Sequence, residues 1–149
     1  MENESYNRLL KMIKDFEQEI IKLAGVGQQS NHKLIHYIDK DEKFTLIVNR
    51  KGHRNKDNLT LLLHSATEKS LMVRFDVNGS DHSNPPNDTR IPTPHLHIFS
   101  EEYDNGRIAI PLSKLSNKEL EDELMDSLEF FMDYTNIHHK NAIIIPKLL

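Results

Sequence analysis

Residues 71–77 read Leu71, Met72, Val73, Arg74, Phe75, Asp76, Val77, and residues 95–99 read His95, Leu96, His97, Ile98, Phe99. Successive side chains of a strand point to opposite faces. In the first stretch Leu71, Val73, Phe75 and Val77 face one way, and Met72, Arg74, Asp76 and Asn78 the other. In the second, Leu96 and Ile98 are the natural core pair, which sends His95, His97 and Phe99 to the far side. If the two strands are neighbours, Arg74 and Asp76 share a face with His95 and His97. His82, in the intervening segment, can then fold back over them.

Outward from this pair the same alternation predicts further strands at Lys33 to Ile38, Lys43 to Val48, Leu59 to His64 and Arg107 to Ile110. Connections this short favour an antiparallel meander, since parallel neighbours need long crossovers. Between residues 78 and 94, Asn78-Gly79 signals a turn, and Pro85, Pro86, Pro92 and Pro94 deny donors to a ladder. A long loop, of the kind often used for function, is expected there.

Two helices flank these strands. Tyr6, Leu9, Ile13, Phe16, Ile20 and Leu23 recur at steps of three and four, predicting a helix over 6–24 stopped by Gly25 and Gly27. Ser116 with Glu119 has the form of a capping box and Leu115 with Leu120 that of a hydrophobic staple, predicting a helix over 116–136. Ala142 to Ile145 is read as a last strand before Pro146. The fold class is thus α+β. One domain spans 1–149, with a mainly antiparallel sheet of about five to seven strands in 33–112 packed against an N-terminal and a C-terminal helix.

With 37% hydrophobic and 28% charged residues, the composition is that of a globular domain large enough to bury a core. The absence of Cys removes disulfides, thiolate nucleophiles and Cys-type zinc sites, and fits a reducing compartment. The acidic start from Met1 to Ser5 lacks the form of a secretory signal, and no run nears the roughly 18 apolar residues of a membrane span. A cytoplasmic protein is expected.

A net charge of −4 argues against direct nucleic-acid binding, which depends on neutralising phosphates. The charges are sorted all the same. Arg50, Lys51, His53, Arg54 and Lys56 form a basic turn, while Glu121, Asp122, Asp126 and Glu129 belong to an acidic helical segment. Two solvated surfaces are the plain account; an acidic helix that docks on a basic partner is the sharper one.

Three readings compete for the polar cluster of Arg74, Asp76, His82, His95 and His97. One is a zinc-type metal site, in which His95 and His97 on one strand face gain a third ligand from His82 or Asp76 and leave a position for water. Another is metal-free acid–base chemistry on a phosphate ester, with Arg74 as anion clamp and the imidazoles moving protons. The third is structural, the histidines merely holding loop backbone. His138 and His139, after a helix, are expected to cap its carbonyls. His32, His36 and His64 are read as ordinary strand or surface residues. No Gly-rich phosphate loop and no Gly-x-Ser-x-Gly occurs.

Pro94, His95 and His97 resemble part of the histidine-triad nucleotide hydrolases, but the third histidine of that pattern falls on Phe99, so the assignment fails. A broader string resembles the signature of a family of small bacterial proteins found with prophages and mobile islands, near toxin–antitoxin and defence genes. It comprises Arg74 and Asp76, Gly79, His82 with Asn84 and Pro85, Ile91 with Pro92, and Pro94 with His95 and His97. The resemblance covers about residues 70–135 and leaves residues 1–50 outside. Ser83 stands where that pattern has a basic residue, and Pro86-Asn87 where it has an Asp-Gly turn.

What the resemblance implies is an accessory protein of a mobile element. Two functions fit it. The favoured one is a binding protein of inhibitor, antitoxin or counter-defence type that needs no cofactor, engages a protein partner through Glu121, Asp122, Asp126 and Glu129, and can form a homodimer. The other is a phosphodiesterase- or nuclease-like enzyme using Arg74, Asp76, His82, His95 and His97, with or without a divalent metal on His82, His95 and His97.

Overall fold

The computed structural model describes residues 1–52 and 58–147. Helix α1 (Asn3–Lys11) leads into β1 (Lys14–Phe16) and β2 (Ile20–Lys22). Long strands follow: β3 (Gln29–His36), β4 (Lys43–Asn49), β5 (Thr60–Ser65) and β6 (Ser70–Asp76). A small hairpin of β7 (His82–Asn84) and β8 (Thr89–Ile91) precedes β9 (His95–Ile98) and β10 (Ala109–Pro111). The chain ends with α2 (Glu123–Tyr134), β11 (Ile137–His138) and β12 (Ile143–Ile145).

Among the described residues eight strands form one sheet in the order β10-β9-β6-β5-β4-β3-β1-β11, and β1 pairs with β11 in parallel whereas the other neighbouring strands run antiparallel. It is thus a single α+β domain built on a mainly antiparallel mixed sheet, with more strands than the meander predicts. On one face Phe44, Leu46 and Val48 stand level with Ser65, Leu63 and Leu61, and these in turn with Val73, Phe75, Ile98 and Leu96. Tyr6 and Leu9 of α1 and Leu128, Phe130 and Phe131 of α2 cover that face, with Phe75 edge-on to Phe130. Burying this many aliphatic and aromatic side chains, each contributing about 1.5–3 kcal/mol, is the main force holding the layers together.

The helix expected over 6–24 ends at Lys11. Met12 is already extended, and Lys14 turns its ammonium back onto the carbonyls of Leu10 and Met12. The supposed stripe then splits: Ile13 and Ile20 are about half exposed, while Ile21, off the stripe, is buried. The reason is pairing at a distance, since β1 lies between β3 and β11 and β2 pairs in parallel with β12.

The helix expected over 116–136 starts instead at Glu123. Asp122 is its N-cap, accepting from the Met125 amide at 3.0 Å while its own N–H donates to Asp126 at 2.9 Å. Ser116 accepts from the nearby Lys118 amide rather than capping the helix, and Leu115, of the expected staple, is 39% exposed. The segment expected to be an irregular loop holds the β7–β8 hairpin. Asn84 fastens it to β10, donating to the Ala109 carbonyl at 2.9 Å and accepting from the Ala109 amide at 2.8 Å. No helix among the described residues is long and apolar enough to cross a membrane.

Candidate functional site

The face of the sheet away from the helices carries the polar cluster, and ladder register determines its shape. Asp76 stands opposite His95 and Thr60, and Arg74 opposite His97 and Leu62. Beyond His97 and His95 lie Ala109 and Pro111 of β10. Because the side-chain period is two, Arg74, Asp76, His95 and His97 all project from this face. They open into a cleft of about 360 Å³, also lined by Asp81, His82, Phe99 and Gly106.

Asp76 is the hub. Its Oδ1 accepts from Arg74 Nε at 2.8 Å and from Thr60 Oγ1 at 3.2 Å. Its Oδ2 lies 3.1 Å from His95 Nε2 and 3.3 Å from His97 Nε2. Burial alone would raise the pKa of this carboxyl. The hydrogen bonds from His95, His97 and Arg74, with the guanidinium charge, outweigh burial and hold it well below the usual carboxylate range. Asp76 is therefore ionised.

The other nitrogen of each ring is also engaged. His97 Nδ1 lies 2.8 Å from the Gly106 carbonyl and His95 Nδ1 3.2 Å from the Pro92 carbonyl. Each imidazole thus sits between two oxygen acceptors, whereas a neutral imidazole has a single N–H to give. With neutral rings one side of each imidazole must face a lone pair: Nε2–H donors satisfy Asp76 and leave Nδ1 bare against the carbonyls, whereas Nδ1–H donors turn two Nε2 lone pairs on the carboxylate. Added positive charge, as two further protons or as one cation, satisfies all four contacts at once.

The potential ligand atoms of Asp76, His95 and His97 all lie within 4.8 Å of one another. Imidazoles held through Nδ1–H on backbone carbonyls, with Nε2 turned inward, form the outer shell that orients metal-binding histidines. Two histidines and one carboxylate match the ligand set of an open mononuclear site. His82 borders this group without joining it. Its ring is 4.7 Å from that of His97, and its Nε2 lies 2.7 Å from the Arg107 carbonyl.

Arg74 is half exposed at the rim, and no group among the described residues accepts from its terminal nitrogens at hydrogen-bond distance. Three features of the site carry no signal in side-chain alternation. The Pro92 and Gly106 carbonyls are backbone, and Thr60 meets Asp76 only through ladder register. Gly106 has φ +91°, and a Cβ built on it would stand 2.5 Å from the Phe99 ring. Only glycine places the carbonyl that holds His97.

The acidic segment has mostly internal roles. Asp122 and Asp126 cap α2, Glu129 pairs with Lys118 at 3.1 Å, and Glu121 is exposed. Of the basic turn, Arg50 donates to the Ala24 carbonyl at 3.3 Å and Lys51 is exposed, while His53, Arg54 and Lys56 lie outside the described residues. His138 and His139 do not cap helix carbonyls; their partners are the carboxylates of Asp15 and Asp133.

No curated protein and no solved structure matches the chain. A family model does match, and it takes in residues 1–137, reaching well beyond the 70–135 of the motif resemblance to include residues 1–50. The chain belongs to that family, a family of unknown function (DUF6978).

Proposed function

We propose that the chain is a metal-dependent enzyme of hydrolytic type whose mononuclear centre is Asp76, His95 and His97. The observation that carries this reading is the convergence of two carbonyl-anchored imidazoles, through Nε2, on one ionised carboxylate oxygen at the floor of an open cleft. A single divalent cation supplies the charge that this arrangement lacks. Held by Asp76, His95 and His97, such an ion would supply a water acidic enough to act as nucleophile near neutral pH.

The lining favours hydrolysis over oxygen chemistry on an apolar substrate, because Arg74, Asp81 and His82 make the cleft polar. The mobile-element setting implied by the motif then points to an activity of toxin or defence type. The partner-binding reading has less support, because Asp122, Asp126 and Glu129 already serve the helix and its ion pair.

Isothermal titration of the metal-free protein with Zn²⁺ tests the proposal. One ion per chain is expected, with affinity reduced about 100-fold or more in His97→Ala. A protein that takes up no Zn²⁺, Co²⁺ or Mn²⁺ at micromolar concentration would sink the reading.

A further inference from the structure

Asp76 already displays how two cationic positions can be spanned by one anion. Its Oδ1 rests on the Arg74 guanidinium and its Oδ2 on the two imidazoles where the cation is assigned. Those two positions are therefore one carboxylate apart. From the cleft side the same pair is open, since the terminal nitrogens of Arg74 meet no acceptor among the described residues.

The charges around the cleft add a condition. With its imidazoles neutral and no cation present, one arginine faces the two carboxylates of Asp76 and Asp81, and the cleft is net negative. A divalent ion reverses that sign. An anion is thus repelled from the empty centre and attracted to the loaded one.

We infer that the substrate carries a phosphoryl group, which binds the metal-loaded centre in preference to the empty one by placing one non-bridging oxygen on the cation and another on the Arg74 guanidinium. This rests on the metal-centre reading above and adds the substrate class and the order of assembly. Arginine suits the role because its planar fork holds Asp76 through Nε while presenting further N–H groups to a tetrahedral oxyanion; a lysine ammonium cannot do both with that geometry. In hydrolysis of a phosphodiester so held, water oxygen forms a new bond to phosphorus and the ester P–O bond breaks. The leaving alkoxide takes up the proton that the water releases.

The experiment is titration of the full chain with Co²⁺, with and without excess methyl phosphate, in the wild type, Arg74→Lys and Arg74→Gln. In the wild type methyl phosphate should tighten Co²⁺ binding about ten-fold, and by linkage Co²⁺ should tighten methyl phosphate by the same factor. The enhancement should shrink in Arg74→Lys and vanish in Arg74→Gln, each judged as a ratio within one variant, so that any change in bare metal affinity cancels. Co²⁺ binding with no effect of methyl phosphate overturns this inference and leaves the metal centre standing. Full enhancement in Arg74→Gln, or equal enhancement by acetate, overturns the arginine's role or the phosphoryl class respectively. Failure of Co²⁺ to bind at all overturns the metal centre itself.

Discussion

Two charged centres are buried on this sheet, and they are built on opposite terms. Near one edge, on the helix-covered face, Lys14 of β1 is wholly buried, and its ammonium donates to the carbonyls of Leu10, Met12 and Thr135 at 3.2, 2.9 and 2.7 Å. Near the other edge, on the bare face, Asp76 meets His95 and His97. An ammonium has three hydrogens, and Lys14 has three acceptors. The imidazole pair faces four acceptor contacts with two protons between them when neutral. Lys14 also ties together the C-terminal ends of α1 and α2, where helix dipoles favour a cation. A centre whose donors and acceptors balance, sealed from solvent, serves the fold. One left short of positive charge, and open to a cleft, is built to receive something.

Breaking the balanced centre should have the largest effect. In Lys14→Met the length is kept but three buried carbonyls lose their donor, and an unsatisfied buried group costs about 1–3 kcal/mol. A loss of about 3 kcal/mol or more is expected, read as a fall of about 10 °C in Tm by thermal denaturation. A variant within a degree or two of wild type would show that the lysine is not structural.

A smaller loss is expected at the other centre. In Asp76→Asn the Oδ1 can still accept from Arg74 and Thr60, and the amide NH₂ offers two hydrogens to the two Nε2 atoms, but the charge that its partners favour is gone. In chelator Asp76→Asn should therefore lose about 1–2 kcal/mol of stability. Its affinity for Zn²⁺ should fall about 100-fold, which corresponds to about 2.7 kcal/mol of binding. A variant more stable than wild type in chelator would mean that the wild-type rings turn lone pairs on the carboxylate and that its contacts there are net repulsive.

A smaller effect isolates the carbonyl that orients one ring. Gly106→Ala places a methyl against the Phe99 ring at a positive φ, so the turn must shift and take the His97 acceptor with it. About 1–2 kcal/mol of stability should be lost. Zn²⁺ affinity should drop about ten-fold, the scale of an outer-shell change. Unchanged affinity in a folded Gly106→Ala protein would detach the Gly106 carbonyl from the site.

The two centres were not equally legible before the fold was known. Strand faces follow from a period of two, so Leu71 to Val77 sets Arg74 and Asp76 opposite one apolar row and His95 to Phe99 sets His95 and His97 opposite another; that the two polar rows share a face depended on the strands being neighbours, which the β6–β9 pairing supplies. What makes those imidazoles short of protons is invisible in side-chain patterning, because the Pro92 and Gly106 carbonyls are backbone atoms brought in by loops. Lys14 was hidden for another reason. Tyr6, Leu9, Ile13, Phe16 and Ile20 satisfy helical spacing, and the competing edge-strand arrangement depends on β11 and β12, more than a hundred residues away. At α2 two chemically sound caps competed, Ser116 with Glu119 and Asp122 with Asp126. Asp122 is the cap that forms, and the Leu115 of the other is left 39% exposed.

The subtlest way to sharpen the comparison is pH. Burial pushes the Lys14 ammonium down to about 7, from 10.5 when unburied, so above pH 7 the folded chain releases a proton that the unfolded chain keeps. The unfolded state then binds more protons, and stability must rise with pH between those two values; below pH 7 the lysine is protonated in both states and contributes no slope. A full unit of that window is worth about 1.4 kcal/mol, and because the amine is only half deprotonated at pH 7 the interval from pH 7 to 8 contributes about 1 kcal/mol. Denaturant unfolding of wild type and Lys14→Met across this range measures the difference in slope. A ¹⁵N titration of the Lys14 Nζ locates the proton directly. Parallel stability profiles with an Nζ midpoint near 10 would mean that the three carbonyls fully offset burial, and that Lys14 stays an ammonium throughout the range in which the fold is stable.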